Sequence, residues 1–253
     1  MVKRRAVSRH DKQLQPETLP LLYQTLVPLS PEGQGSLGFQ ADRDFSFAAR
    51  ANAIPLTADE FPMALKDYPI VFSAGAKSTP LALVGMQQGR NDHVTADGSW
   101  RTGTYIPAYL RRYPFALVRE SDTAERNILC ADLSSTLFST TAAPDRMMFE
   151  DGKSSKLLTG ILEFCNRYEV ALHRTRLMVE DAQKHDLIGP STVSISRGGK
   201  TLRVEGFCVV SEERLRDLPD DVLASFARRG VLNIFAAHQM SLSNFSTFGE
   251  VLA

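Results

Sequence analysis

The longest regular signal in the chain begins at Ser154 or Ser155 and runs to about His185. Leu157, Ile161, Phe164 or Cys165, Tyr168, Leu172 and Val179 recur there at helical spacing. Glu163, Arg167, Glu169, Arg174 and Arg176 fill the positions between, so one apolar stripe faces a core and the rest faces water. Gly189-Pro190 is expected to end this helix. The period then changes. Leu202 and Val204 alternate with Arg203 and Glu205, which predicts a β-hairpin of residues 192–196 and 201–210 turning at Gly198-Gly199. Ser211, with Arg214 and Leu215 after it, opens a short helix, and Asp220 or Asp221 opens a longer one through Ala227. The apolar stretch from Val231 to Phe248 reads as a closing helix.

Upstream, one phrase occurs twice. Pro62-Met63-Ala64-Leu65-Lys66-Asp67-Tyr68-Pro69-Ile70 returns 45 residues later as Pro107-Ala108-Tyr109-Leu110-Arg111-Arg112-Tyr113-Pro114-Phe115. Proline is tolerated in the first turn of a helix, and a second proline forces the residue before it out of the helical region. Each copy therefore predicts a short helix, a Tyr-Pro stop and a strand. A second strand follows each time, from Pro80 and from Asn127. Thr57 and Glu60 have the spacing of a capping box ahead of the first helix, and Thr104 is placed to cap the second. A true duplication and one junction used twice both fit this pattern.

Before these units, the apolar lead-in Leu21–Leu29 closes at the Ser30-Pro31-Glu32-Gly33 turn, and Phe45-Ser46-Phe47 alternates like a half-buried strand. Asp97-Gly98 between them is a hairpin turn signal. The fold class is α+β, with short antiparallel sheet segments and hairpins and packed helices. Residues 1–18 are expected to be a disordered basic tail, 19–133 an α+β region with the repeated unit, and 134–153 a loop. Residues 154–253 are expected to add the long helix, hairpin and closing helices, packed on the first region as one domain.

Composition narrows the function classes. The 29 basic and 29 acidic residues cancel, so no global field favours nucleic acid or an anionic membrane. Only the start is biased: Lys3, Arg4, Arg5, Arg9 and Lys12 against Asp11 leave a net charge of +4. The next apolar stretch is broken by Pro20, Gln24 and Pro28, so no signal peptide is expected and the location is read as cytoplasmic. No run reaches the roughly 18 apolar residues of a spanning helix. Cys130, Cys165 and Cys208 are scattered in apolar company and are expected to be buried, reduced thiols.

Motifs for familiar chemistry are missing. Gly199-Lys200-Thr201 resembles the end of a phosphate-binding loop, but Ser194 stands where that motif needs glycine, and a hairpin surrounds it. No G-x-G-x-x-G follows a strand, and there is no G-x-S-x-G. His10, His93, His173, His185 and His238 are isolated from one another, so no metal and no cofactor is expected. Two polar groupings remain. Trp100, Arg101, Tyr105, Tyr109, Arg111, Arg112 and Tyr113 are the residue types of binding hot spots and of carboxylate or phosphate clamps. The three tyrosines, at i, i+4 and i+8, equally fit packing of a helix on a sheet. His238, Ser241 and Asn244 share a helical face and either line a site or satisfy a buried helix end.

Several phrases together resemble the bacterial SapC-like family. They are Leu26-Val27-Pro28-Leu29, Ala53-Ile54-Pro55-Leu56, Glu60-Phe61-Pro62, Asp67-Tyr68-Pro69-Ile70-Val71-Phe72, Asp97-Gly98-x-Trp100 and the run from Tyr105 to Phe115. Gly230-x-Leu232, Ala237-His238 and Ser241-Leu242-x-Asn244 extend the likeness to the end of the chain. The family is named for a protein associated with a paracrystalline surface layer and is distinct from a transporter permease of the same name. The resemblance implies an envelope, surface-layer or nutrient-uptake context and carries over no catalytic residue. Two functions follow. One is a non-enzymatic interaction or accessory role with a protein partner of the cell envelope. The other is an enzyme, or a binder of a small molecule or peptide, with a pocket between Arg101–Tyr113 and His238–Asn244.

Overall fold

A computed structural model of the chain describes residues 19–40, 44–119, 127–197 and 200–248. The basic segment 1–18 and the Gly198-Gly199 turn lie outside the described residues. In chain order the elements are β1 (Val27–Pro28), α1 (Pro31–Gln34), β2 (Gly38–Phe39), β3 (Ala53–Pro55), α2 (Phe61–Ala64), β4 (Ile70–Ser73) and β5 (Pro80–Leu83). There follow α3 (Ala108–Arg112), β6 (Phe115–Arg119), β7 (Asn127–Ala131), β8 (Phe138–Ser139), β9 (Phe149–Glu150), β10 (Lys153–Ser154) and α4 (Lys156–Lys184). The chain closes with β11 (Ile188–Arg197), β12 (Lys200–Val210), α5 (Glu212–Arg216), α6 (Asp220–Arg228), α7 (Val231–Ser241) and α8 (Phe245–Phe248). This is a mixed α+β protein built on short antiparallel sheets.

The residues group into two units, one holding those up to 42 and 112–169, the other 43–111 and 170 onward. In the first, β7 pairs with both β1 and β6, and β2 with β8, all antiparallel. Phe39, Phe115 and Phe138 close a ring triangle with centroids 4.9, 5.7 and 5.9 Å apart. Asp132 is fully buried. Its carboxylate accepts from the amides of Gln24 (2.7 Å) and Thr25 (3.3 Å) and from the Ser134 hydroxyl (2.6 Å), fixing the lead-in to the sheet. The stretch read as a loop, 134–153, carries β8, a 3-10 turn at Pro144–Arg146 and β9.

The second unit is organised on a five-stranded antiparallel sheet in the order β11-β12-β4-β5-β3. The hairpin is longer than the alternation alone predicted. Thr192 on β11 stands opposite Glu205 and Gly206 on β12, because the register shifts between Ser191 and Val193. Gly206 takes φ 85 at this bulge, a conformation that suits glycine. The bulge changes which parity faces inward, so Val204 before it and Phe207 and Val209 after it share one apolar cluster with Val71, Leu83 and Phe245.

Three local expectations give way to nearby polar chemistry. Ser46–Ala48 is a 3-10 turn and not a strand, because Asp44 Oδ1 accepts from the Ser46 amide (2.8 Å) and folds the chain back. Thr104 does not cap α3; its hydroxyl donates to the Arg101 carbonyl (2.7 Å). Gly189-Pro190 lies inside β11, and α4 stops earlier. Asp186 adopts φ 53, its amide reaches Gln183 O (3.0 Å), and Leu187 N–H reaches Ala182 O (2.9 Å).

A β-branched residue at Gly206 would pay the left-handed backbone cost with no contact to offset it. Gly206→Val is expected to lower stability by about 1–2 kcal/mol in urea unfolding. Gly189→Val, in the same hairpin at a position with open space and no such conformation, serves as the control.

Candidate functional site

The segment around the first copy of the repeated phrase holds the segment around the second by hydrogen bonds. Glu60 closes the capping box: its Oε2 accepts from the Thr57 amide (2.8 Å) and hydroxyl (2.9 Å). Its other oxygen, Oε1, caps α3 by accepting from the Ala108 amide (2.6 Å), and it also accepts from the Tyr105 hydroxyl (3.0 Å). Tyr105 is held by its backbone as well. Its amide donates to Asp67 Oδ2 (2.7 Å), and its carbonyl accepts from the hydroxyl of the fully buried Tyr68. Trp100 Nε1 donates to that same Tyr68 oxygen (3.3 Å). His93 stacks on Trp100 at 5.7 Å and meets Tyr68 edge-on at 4.8 Å.

Burial explains the electrostatics here. Desolvation, then the Glu60 charge, pushes the Tyr105 phenol up to about 12. Desolvation raises Tyr68 further and lowers His93. These groups are neutral hydrogen-bonding partners near neutral pH. Arg111 lies on the outside of this arrangement. Its Nη2 donates to Tyr105 Oη (3.1 Å), its Nε to Ile106 O (3.0 Å), and its guanidinium carbon stands 5.7 Å from the Tyr105 ring. Arg101 and Arg111 are exposed and Tyr105 is half-buried, while Trp100 and Tyr109 are buried.

Arg112 and Tyr113 fall in the other unit. Arg112 is only 7% exposed. Its Nη1 pairs with Glu169 Oε1 at 3.3 Å, and its guanidinium carbon lies 4.4 Å from the Tyr168 ring and 5.8 Å from that of Tyr23. Tyr113 meets Tyr23 edge-on at 5.2 Å, and Tyr23 donates from its hydroxyl to Phe115 O (2.7 Å). The two adjacent arginines thus do different jobs, one packed inside its unit and one at the surface.

His238, Ser241 and Asn244 do come together, and each is spent on the main chain. The β4–β12 ladder ends at Phe72–Cys208. Beyond it the fully buried His238 bridges the strands, its Nε2 accepting from the Val210 amide (3.0 Å) and its Nδ1 donating to Ile70 O (2.7 Å). Because an amide can only donate, the proton must sit on Nδ1. Ser241 Oγ accepts from the Ile70 amide (2.9 Å) and donates to His238 O. Asn244 Nδ2 donates to Leu65 O (2.6 Å) and Tyr68 O (3.0 Å), where α2 runs out. Desolvation holds the imidazole down at about 4.

Glu60, Asp67, Tyr68 and His93 are partners of the candidate residues that the sequence pattern did not place among the site candidates, though it did read Glu60 as part of a capping box. The repeated Tyr-Pro was the one available signal for Tyr68. Among the described residues there is no cluster of three or more His, Cys, Asp or Glu suited to a metal, and no helix long and apolar enough to cross a membrane. The three cysteines are free, and burial raises the Cys130 and Cys165 thiols to about 11, which leaves them poor nucleophiles. In the first unit, residues including Leu29, Asn127, Leu129, Phe149, Ser154 and Leu158 line a groove of about 460 Å³ of mixed polar and apolar character, to which none of the candidates contributes.

Two expectations follow. The unfolded chain takes up a proton at His238 below its ordinary value near 6.5, but the folded one does not until about 4. The His238 contribution is therefore complete above pH 6.5 and is lost as pH falls towards 4, by about 3 kcal/mol in total. His93 adds a slope of the same sign, so comparing wild type with His238→Gln in urea titrations across this range isolates the first term. Separately, Arg112→Ala is expected to cost about 2–3 kcal/mol, since it removes the ion pair with Glu169 and empties a packed site beside the Tyr168 and Tyr23 rings. Arg111→Ala is expected to cost under about 1 kcal/mol, and equal effects would contradict the assignment.

Comparison with curated proteins and with solved structures gave no match. The SapC family profile matches residues 29–248, most of the chain and nearly all the elements described above. That span takes in both copies of the Tyr-Pro phrase, the Glu60 carboxylate that joins them, and the His238 bridge, and the chain belongs to the SapC family.

Proposed function

We propose that this protein is a non-enzymatic interaction protein linked to the bacterial cell envelope, and that Arg101, Tyr105 and Arg111 form its contact patch. The observation that carries this is the way Tyr105 is held. Its amide, carbonyl and hydroxyl are all hydrogen-bonded within the unit, to Asp67, Tyr68 and Glu60. Arg101 and Arg111 remain exposed on either side of it in sequence. An aromatic ring fixed in advance loses little freedom on binding, and guanidinium groups match carboxylates in geometry and charge. The partner chemistry that suits the patch is an acidic protein surface. The family resemblance supplies the envelope context.

The polar groups of the other candidate set support the same reading. His238, Ser241 and Asn244 complete main-chain hydrogen bonds inside the unit and have little left to offer a substrate.

The test is an affinity pull-down from the protein's own host at low and moderate salt, with proteins and small molecules both analysed. Wild type is expected to retain an envelope protein stoichiometrically. Arg101→Glu/Arg111→Glu, folded by circular dichroism, is expected to bind it at least tenfold more weakly, with the remaining binding no longer salt-sensitive. Equal recovery by the double variant, or a protein-free eluate carrying a bound metabolite, would overturn the proposal.

A further inference from the structure

The five-stranded sheet has two different ends. At one end β3 spans three residues and contains Pro55. A short edge with proline cannot template much further pairing. At the other end β11 spans ten residues. Its protective features, Pro190 and the bulge opposite Thr192, both lie in its first half. From Val193 to Ser196 it carries no charge and no proline.

The backbone of that second half has a definite orientation. Ladder pairs run Val193–Val204, Ser194–Arg203, Ile195–Leu202, Ser196–Thr201 and Arg197–Lys200. Arg197 and Lys200 are separated by two residues, and the pair that closes so short a hairpin exchanges both of its hydrogen bonds. Alternation then turns the main chain of Ile195 and Val193 towards β12, and that of Ser194 and Ser196 outward to the open edge. The side chains alternate across the sheet. Val193 and Ile195 are half-buried and continue the apolar layer that packs on Phe207 and Phe245. Thr192, Ser194 and Ser196 are exposed on the opposite face.

We infer that β11 is a homotypic interface through which two copies of this chain pair, antiparallel, about a two-fold axis at Ser194. The sequence of the edge selects a second copy as its occupant because it is complementary to itself in this one register. Residues with outward main chain meet each other, Ser194 with Ser194 and Thr192 with Ser196 of the other copy. Val193 then lies opposite Ile195 on the apolar face, and only hydroxyl side chains meet on the other. No like charges are opposed, and the formal net charge of zero imposes no long-range repulsion between copies. A closed two-fold pairing also consumes the edge, so it ends at a dimer and does not run on into a fibre. With so short a paired stretch the dimer is expected to be weak and concentration-dependent.

The experiment uses the full chain in sedimentation velocity from about 1 µM to about 500 µM. Wild type is expected to move from monomer to dimer across this range. Ser194→Pro removes an outward amide and no bond to β12, so it is expected to keep the wild-type melting curve while weakening dimerisation at least tenfold. Ser194→Lys places a cation against its own copy and is expected to be monomeric, as is Ser194→Glu. An equimolar mixture of the two is expected to recover the dimer. The inference is overturned by a wild type that stays monomeric throughout, even if the edge is then found to hold a foreign peptide. It is overturned equally by a dimer indifferent to Ser194→Pro, or by a Lys and Glu mixture that does not re-associate.

Discussion

Two strands that part company inside a core leave main-chain groups that water cannot reach, and the second unit depends on how this is met. β4 and β12 pair only at Ser73–Phe207 and Phe72–Cys208. Past that point the amide of Val210 and both polar groups of Ile70 need partners, and each left unmet would cost about 1–3 kcal/mol. The helix α7 supplies them from one face, with His238 between the strands and Ser241 one turn on. Helix and sheet are thereby locked in one register. A leucine at position 238 would pack as well and leave both strands unsatisfied. The cost is a dependence on the neutral imidazole, which the apolar surroundings, Phe72 at 5.1 Å among them, enforce.

Glu60 performs a similar task within the same unit. One carboxylate closes the turn before α2 and also caps α3, so the two copies of the repeated phrase share a single acceptor. The copies are alike in element order, each giving helix, strand and strand, yet their tyrosines have diverged in use. Tyr68 has its hydroxyl bonded to the Tyr105 carbonyl and its carbonyl bonded to Asn244. Tyr113 instead packs edge-on against Tyr23 in the first unit.

What was legible in the sequence was short in range. The Thr57–Glu60 box, the helix from Lys156, the hairpin and the Ser211 cap all follow from residues within a few positions of one another. The bulge left a local trace that simple alternation did not resolve, in that the apolar positions pass from Leu202 and Val204 to Phe207 and Val209 across Glu205-Gly206. What stayed hidden depended on distant partners. Nothing near Ala108 shows that its cap comes from Glu60, and nothing near His238 shows that Val210 will lack a strand partner. The site candidates divide for the same reason. Arg111 and Arg112 are neighbours about 100° apart on a helix, and composition alone cannot tell which one turns to water.

This division bears on which reading of the molecule the chemistry favours. A catalytic group must keep at least one polar atom for the reacting molecule, and its protonation state must suit the pH at which it works. His238 has both nitrogens committed to main chain, and its low proton affinity follows from burial. Tyr105 and Tyr68 are shifted upward, away from the range in which they would exchange protons. The same commitments hold the Tyr105 ring and hydroxyl in place beside the Arg111 guanidinium. On the reading proposed above, an aromatic side chain already fixed by the fold has less freedom to lose when a partner binds. The hydrogen bonds that converge on Tyr105 thus serve the fold first, through the Glu60 cap on α3, and serve the proposed recognition through the ring they fix.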